Sequence, residues 1–228
     1  LRILMVEGRR RRWWVLQIAP EICDSYDARV GLQKLGLRKQ KKTAWASSLI
    51  DLTLSVDELH IKLNRRWKRA LSKASKCGVI VKKAELTEVR LAEVLKSYSN
   101  LQTRNEFVGI DCDLIIELSK LRSPEWSFNL FVAELVIEGS PTEEVGYRVT
   151  IRNGCNVLDF LVSTSPKGRQ VEANSALYWH SIVQAKHSGC RWFDVGGLSD
   201  ATPRGIADFK LGLNGTSYQL VGEWRKWF

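Results

Sequence analysis

The sequence predicts an α/β (α+β) fold in which a mixed, mostly antiparallel sheet is flanked by helices. Three β-prone segments, 129–137, 144–151 and 157–163, follow one another with glycine-containing turns between them, which is typical of an antiparallel meander. Segments with helical spacing precede and follow this meander. Nine Trp and 44% hydrophobic residues in a chain of 228 residues are enough to bury a core of this kind.

The segment before residue 86 predicts the order β-α-β-α-β. Its helices have apolar residues at intervals of three and four, and its strands are rich in β-prone residues. The predicted elements are a strand at 13–18, a helix at 24–37, a strand at 44–54, a helix at 55–77 and a strand that begins at 79.

The helix at 55–77 has the clearest local signals in the chain. Ser55 and Glu58 have the spacing of a capping box, in which each side chain bonds the backbone N–H of the other residue. Gly78 is a typical C-terminal stop, because glycine adopts the left-handed conformation that ends many helices. The apolar face of this helix consists of Leu59, Leu63, Trp67, Ala70 and Ala74.

After residue 86 the predicted order is α-α-β-β-β-α-β-α-β. Helices at 87–105 and 112–121 precede the meander, and a helix at 174–187 follows it. The chain is completed by a strand at 191–195, a short helix around Lys210 and a closing strand at 217–224.

The positive charge of the chain is concentrated in its first third. The whole sequence has a net charge of +10, and residues 1–86 hold 20 Lys and Arg against 8 Asp and Glu. The remaining residues hold 15 against 17. This asymmetry indicates either a phosphate-bearing partner or anionic surface that contacts the first part, or a solvated basic face. Together with the element order it predicts two domains, a partial, basic one at 1–86 and a second at 87–228.

Several classes of protein are disfavoured by what the sequence lacks. No apolar run approaches the roughly 20 residues of a membrane-spanning helix, and residues 1–12 turn polybasic where a secretory signal would be apolar. The five cysteines are scattered, and the three histidines are badly spaced for a metal. We therefore expect reduced thiols, no metal site and a cytoplasmic location, with peripheral contact with a membrane as an alternative.

The segment 193–213, FDVGGLSDATPRGIADFKLGL, has the most informative pattern in the chain. Gly196 and Gly197 follow a strand, and without Cβ atoms they allow a ligand to approach the backbone. Phe209 and Lys210 then place an aromatic ring beside a positive charge, which an acyl-transfer oxyanion needs nearby. This pattern predicts a ligand-binding turn with a cation close to it.

Three segments carry a family resemblance: 64–74 with Gly78-Val79, 176–179, and 193–197 with 205–212. In sequence and order they resemble the FemA/FemB/FemX (FemABX) family of peptidoglycan-bridge aminoacyltransferases, which are built from two domains of the GNAT-like acyltransferase fold. The last segment is similar to the family signature yDlGGi…GiyxFKxGF, with Leu213 where an aromatic residue is expected. The resemblance covers about residues 20–228, is strongest after residue 170, and implies a partial first GNAT-like domain.

The resemblance implies transfer of an aminoacyl group from aminoacyl-tRNA to an amine of a peptidoglycan precursor, without a cofactor. Phe209 and Lys210 correspond to the Phe-Lys pair of the family. Lys210 is expected to stabilise the oxyanion, because a compact ammonium can lie close to the reacting carbonyl. Asp194 and Asp208 are candidate proton acceptors, and Asp194 is alternatively a residue that bonds the backbone of the glycine turn.

Two further groups of residues are expected to bind the substrates. Cations on the segment 64–74 and in the loop before residue 174 are suited to the phosphates of tRNA. The predicted substrate-binding residues are Phe209, Gly196, Gly197, Arg204 and Tyr178. The predicted phosphate- and tRNA-binding residues are Arg65, Arg66, Arg69, Lys73, Lys167 and Arg169.

Two other functions are compatible with the sequence. The first is an acyl-CoA-dependent GNAT N-acyltransferase that acts on an amino sugar or amino acid, although segment 165–173 lacks the second glycine of the usual coenzyme A loop. The second is a non-catalytic remnant that binds RNA or a partner protein. A partial first domain would expose a sheet edge, which predicts a homo-oligomer or a partner chain as one way to cover it.

Overall fold

The computed structural model describes residues 1–40, 44–106 and 109–228, which divide into two units. The first unit contains Leu1–Leu49, Gly196–Lys210 and Thr216–Phe228, and the second contains Ile50–Val195 and Leu211–Gly215. The elements are, in chain order, α1 (Arg2–Arg10), β1 (Val15–Ile18), α2 (Tyr26–Lys34), β2 (Arg38–Lys39), β3 (Ala46–Asp51), α3 (Val56–Lys62), α4 (Arg65–Lys76), β4 (Val79–Ala84), α5 (Glu88–Asn105), α6 (Cys112–Lys120), β5 (Trp126–Leu135), β6 (Glu143–Asn153), β7 (Asn156–Thr164), α7 (Pro166–Gln170), α8 (Ala173–His187), β8 (Trp192–Asp194), α9 (Arg204–Leu211), β9 (Thr216–Gln219) and β10 (Trp224–Trp227).

The first unit contains two antiparallel strand groups. β10 lies between β1 and β2, and β3 pairs with β9 from Ala46 opposite Gln219 onwards. Helices α1 and α2 contribute apolar side chains to a core that includes Met5, Leu32 and Trp224. This core therefore joins residues that are about the full length of the chain apart.

The second unit contains the sheet order β4-β5-β6-β7-β8. The first four strands are antiparallel, and β8 is parallel to β7 because α7 and α8 carry the chain back across the sheet. Alternate residues of β5 point to opposite faces: Leu130 and Val132 pack with α5 and α6, whereas Phe131 and Ala133 pack with α8. The unit is thus a sheet covered by helices on both faces, and the predicted meander and flanking helices are confirmed.

The predicted helix at 55–77 is wrong as a single element, because the chain forms two helices there. The capping box of Ser55 and Glu58 begins α3 as expected. Leu63 then takes an extended conformation, and the side chain of Asn64 accepts a hydrogen bond from the backbone N–H of Trp67 to begin α4. Leu63 and Trp67 are nevertheless both buried, so the apolar spacing is real although it is divided between two helices.

The closing strand predicted at 217–224 is also two elements, β9 and β10. Gly222, at a φ of 80°, lies between them in the left-handed region that favours glycine. The two strands join different groups: β9 pairs with β3, and β10 pairs with β1 and β2. The polybasic start of the chain, for which no element is predicted, forms α1 because Met5 and Gly8 give it a face that packs inward.

The two units are assembled from several separate stretches of the chain. The predicted domains, from charge and element order, are the consecutive segments 1–86 and 87–228. A change in charge reports on surfaces, whereas the units follow from which strands pair and which helices pack together. Helices α3 and α4 lie in the second unit, where α4 packs against α8, while the C-terminal strand β10 belongs to the first. In the part of the chain that the structure describes, no helix is both long enough and apolar enough to span a membrane.

Candidate functional site

The glycine turn follows β8 and is held by residues of β3 that belong to the first unit. Gly196 has a φ of 71°, so this position favours glycine. The carbonyl of Gly196 accepts a hydrogen bond from Ser47 Oγ at 3.2 Å, and the N–H of Leu198 donates to the carbonyl of Ala46 at 2.7 Å. The turn is thereby fixed on both sides by β3.

Lys210 lies on α9 with its ammonium directed at this turn. Its Nζ donates to the carbonyl of Gly197 at 3.4 Å, and Thr202 Oγ1 donates to the same carbonyl at 3.3 Å. Both are long hydrogen bonds. The Lys210 side chain is half-buried, and a cation partly removed from water stabilises a developing negative oxygen more strongly than one in bulk solvent. The structure therefore brings Gly196, Gly197 and Lys210 together.

Trp45 forms an aromatic wall beside the turn. Its indole N–H donates to Tyr218 Oη at 3.1 Å, and the ring edge lies 3.9 Å from the place that a Cβ on Gly197 would occupy. The residues that the structure adds to the predicted site are Trp45, Ser47, Thr202 and Tyr218. In the sequence, the polar pair Ser47-Ser48 inside a β-prone segment is the local feature that could have pointed to these residues. The structure shows that both serines are buried in β3.

The two glycines of the turn are expected to respond differently to alanine. Gly196→Ala should lower the free energy of unfolding by about 1 to 2 kcal/mol, because a Cβ is strained at positive φ. Gly197→Ala should change stability by less than about 0.5 kcal/mol, since its Cβ would make only ordinary contact with Trp45. Chemical denaturation of both variants checks this, and an equal loss of stability would contradict it.

The two candidate carboxylates lie on different elements, Asp208 on α9 and Asp194 at the end of β8. Asp208 pairs with Arg204 at 3.8 Å on the outer side of α9, where their side chains are 57% and 96% exposed. Positions two apart on a helix do not share a face, so Asp208 and Lys210 diverge. Asp194 is half-buried at the end of β8 in the second unit, opposite Leu158 in the strand register. Phe209 is half-buried on α9.

A buried polar cluster lies in the second unit and includes residues outside the predicted site. Arg148 on β6 is fully buried and forms an ion pair with Asp159 on β7. Its guanidinium also donates to Asn174 Oδ1 at 2.7 Å and lies 3.8 Å from the centre of the Tyr178 ring. A buried charge needs such partners, because removal from water is costly. The cluster thus joins two strands to α8.

Tyr178 is predicted to bind substrate, but the structure places it inside this cluster with 1% of its surface exposed. Its hydroxyl donates to the carbonyl of Val195 at 3.0 Å. Burial raises the pKa of Tyr178 well above its usual range, so the phenol keeps the proton that it donates. This hydrogen bond fixes the backbone directly after β8 against α8, and the predicted substrate-binding role of Tyr178 stays a prediction.

Helix α4 presents an exposed basic surface, here called the α4 surface. In the described part of the chain no carboxylate forms an ion pair with any of its cations, and Lys68 Nζ donates to the carbonyl of Ile61 at 2.8 Å. The cations of the α4 surface are Arg65, Arg66, Lys68, Arg69, Lys73 and Lys76. Four of the predicted phosphate-binding residues therefore share one helix.

The other two predicted phosphate-binding residues, Lys167 and Arg169, lie on α7 and bond to the neighbouring strands β6 and β7. Lys167 on α7 forms an ion pair with Glu143 of β6, and Arg169 donates to the carbonyl of Thr164 at 3.0 Å. Gly168 between them is buried, and a Cβ there would come within 2.1 Å of the Val145 carbonyl oxygen. This glycine is therefore required for packing against β6.

The topology of the second unit, an antiparallel meander, a helical crossover and a parallel strand that leads into a glycine turn, defines a GNAT-like acyltransferase fold. Among solved structures, the chain is similar to FemX, with a TM-score of 0.82 and 13% identity over 100% of this chain and 76% of that one. The resemblance to FemABX proteins is thus confirmed in the fold.

Two other solved structures support the same class of fold. The C-terminal domain of a putative lysylphosphatidylglycerol synthetase from Agrobacterium fabrum has a TM-score of 0.63 at 13% identity, over 99% of this chain and 71% of that one. A tandem GNAT protein from the clavulanic acid biosynthesis pathway has a TM-score of 0.52 at 8% identity, over 98% and 67%. No family model and no curated protein sequence matches the chain.

Proposed function

We propose that this chain is an acyltransferase of the FemABX type, which transfers an aminoacyl group from aminoacyl-tRNA to an amine of a peptidoglycan precursor. The observation that carries the proposal is the Lys210 ammonium at the glycine turn. The similarity in fold to FemX supports it. The peptidoglycan precursor is proposed as the acceptor because of that similarity and because of the sequence motifs.

The proposed reaction needs no protein nucleophile. The acceptor amine attacks the ester carbonyl, and a C–N bond forms as the carbonyl oxygen becomes an oxyanion. The ester C–O bond then breaks, the ribose oxygen leaves and takes up a proton, and the amine gives up one proton. Lys210 stabilises the oxyanion, and the turn at Gly196 and Gly197 with the Trp45 wall orients the reacting groups.

The α4 surface supports tRNA as the donor. Arginine and lysine side chains along one exposed helix can follow a phosphate backbone, which carries regularly spaced negative charges. Such a surface serves a polyanion better than it serves a small ligand, since the cations extend over three turns of α4.

Packing around α7 argues against the acyl-CoA alternative. A coenzyme A loop needs open backbone N–H groups around its glycines to hold a pyrophosphate. The single glycine of this segment, Gly168, packs against Val145, and Lys167 is paired with Glu143. We therefore retain acyl-CoA only as an outcome of the donor test.

Neutralising the α4 surface is expected to weaken RNA binding and reduce its dependence on salt. A plot of the logarithm of the binding constant against the logarithm of the salt concentration has a negative slope. The variant Arg65→Ala/Arg69→Ala/Lys73→Ala should make this slope shallower by about 0.7 to 0.9 for each phosphate that the protein no longer neutralises. The matched control is Lys83→Ala/Lys96→Ala/Lys120→Ala, which removes three exposed charges from β4, α5 and α6. Fluorescence anisotropy with labelled tRNA at several salt concentrations gives both slopes. Equal slopes for the two variants would show that tRNA does not use α4.

A further inference from the structure

The first unit exposes a group of aromatic and basic side chains that the proposed reaction does not use. We call it the aromatic-basic surface. It is a concavity lined by Arg9, Arg12, Trp14, Trp227 and Phe228, among others. Trp14 is 86% exposed and Trp227 is 67% exposed, although tryptophan is a residue that proteins mostly bury.

The strand pairing of the first unit holds these aromatic residues in place. Val15 lies opposite Trp227 in the ladder between β1 and β10, and the N–H of Phe228 donates to the carbonyl of Trp14 at 3.2 Å. The Phe228 ring packs so closely on Gly8 of α1 that a Cβ there would lie 2.4 Å from it. The exposed rings therefore belong to a folded sheet edge that is joined to α1.

Helix α1 adds an exposed apolar stripe to this surface. Met5 and Gly8 face the core, while Ile3, Val6 and Arg10 recur at intervals of three and four on the opposite face. Ile3 is 78% exposed and Val6 is 64% exposed. Helix α1 therefore has apolar residues on its exposed face as well as on the face that packs on the core, and water does not favour the exposed ones.

The charge around this stripe is strongly positive. Residues 1–14 contain five arginines, Arg2 and the run Arg9–Arg12, against the single carboxylate of Glu7. Glu7 pairs with Arg10 and Arg11, and these bonds lower the pKa of its carboxyl. Arg9 and Arg12 remain beside the exposed rings.

We propose that the aromatic-basic surface and the outer face of α1 dock on an anionic phospholipid bilayer. Exposed tryptophan suits the interface between headgroups and acyl chains, aliphatic side chains enter the acyl region, and arginines attract anionic headgroups. RNA would account for the arginines and the rings, but Ile3 and Val6 cannot stack on bases as aromatic rings do. The bilayer accounts for all three kinds of side chain, and the inference does not depend on which donor the acyltransferase uses.

Co-sedimentation with vesicles tests this docking. Wild-type protein should bind vesicles of phosphatidylcholine with about 30% phosphatidylglycerol much more strongly than vesicles of phosphatidylcholine alone, by about five-fold for each engaged arginine. Ile3→Ser/Val6→Ser should weaken binding by at least about ten-fold. The matched control is Ile61→Ser/Val89→Ser, which changes the same residue types at 69% and 70% exposure on helices of the second unit. The control should bind like wild type.

Three results would overturn the proposal. They are equal binding of the wild-type protein to both kinds of vesicle, an equal loss of vesicle binding in Ile3→Ser/Val6→Ser and its control, or a loss of RNA binding in Ile3→Ser/Val6→Ser with vesicle binding retained. The last would assign the surface to RNA. Thermal denaturation of both variants shows whether they are folded. Trp14→Ser/Trp227→Ser gives an independent readout, because it should weaken vesicle binding without touching α1. Failure of transfer activity with a soluble acceptor would bear on the proposed function and leave this test unaffected.

Discussion

Lys210→Ala is expected to lower the rate of acyl transfer by about 10²- to 10³-fold, the usual effect of removing an oxyanion donor. The expectation rests on the position of the ammonium at the Gly197 carbonyl on the glycine turn. Lys210→Arg should retain part of the activity, since the charge is kept but the planar guanidinium has a different shape. The measurement is kcat with a saturating donor.

The control for this prediction is Lys34→Ala, which removes an exposed lysine from the last turn of α2 in the same unit. It should transfer at the wild-type rate. Both variants should unfold within about 1 kcal/mol of wild type. If Lys210→Ala and Lys34→Ala retained equal activity, Lys210 would have no part in the reaction.

Asp159→Ala is expected to cause a large loss of stability, about 3 to 5 kcal/mol in the free energy of unfolding. The change would leave the fully buried charge of Arg148 without its carboxylate. In the described part of the chain Arg148 Nε already has no hydrogen-bond partner, so the guanidinium has little to replace the ion pair. Urea denaturation measures the loss.

The double variant Arg148→Met/Asp159→Leu separates the cost of an unpaired charge from the value of the pair. Replacement of both charges by apolar groups of similar volume is often neutral or stabilising, so this variant should recover most of the loss. A loss below about 1 kcal/mol for Asp159→Ala alone would show that water reaches Arg148 and that the cluster does not hold β6, β7 and α8 together.

Much of the fold can be predicted because its signals are local. The meander is marked by turns, and the capping box of Ser55 and Glu58 is visible within four residues. The division between α3 and α4 is harder to predict, because the apolar spacing continues through Leu63 and only the Asn64 cap shows the break. The membership of β10 in the first unit depends on pairing across about 200 residues, for which the sequence has no local signal.

In the candidate site, too, some residues are predicted by a local motif and others are brought together only by the fold. Gly196, Gly197 and Lys210 lie within 15 residues of one another, so a single motif predicts them. Trp45 and Tyr218 come from β3 and β9 or their ends, and only the fold brings them to the turn.

The buried cluster escapes prediction for a different physical reason. A charged residue within a strand, such as Arg148, has the pattern of a solvent-facing position, and its burial depends on Asp159 and Asn174 from other elements. Sequence periodicity cannot show that a charge has found its partners inside the core.

The most direct test of the proposed function is transfer from a labelled donor. Aminoacyl-tRNA with a radioactive amino acid is incubated with the protein and a panel of amines that includes peptidoglycan precursors, and base-stable label is measured. An ester is hydrolysed by base and an amide is not, so base-stable label reports the new C–N bond. We expect such label from aminoacyl-tRNA with wild type and its loss with Lys210→Ala. Label from acyl-CoA alone, or none from either donor while RNA still binds, would contradict the proposal.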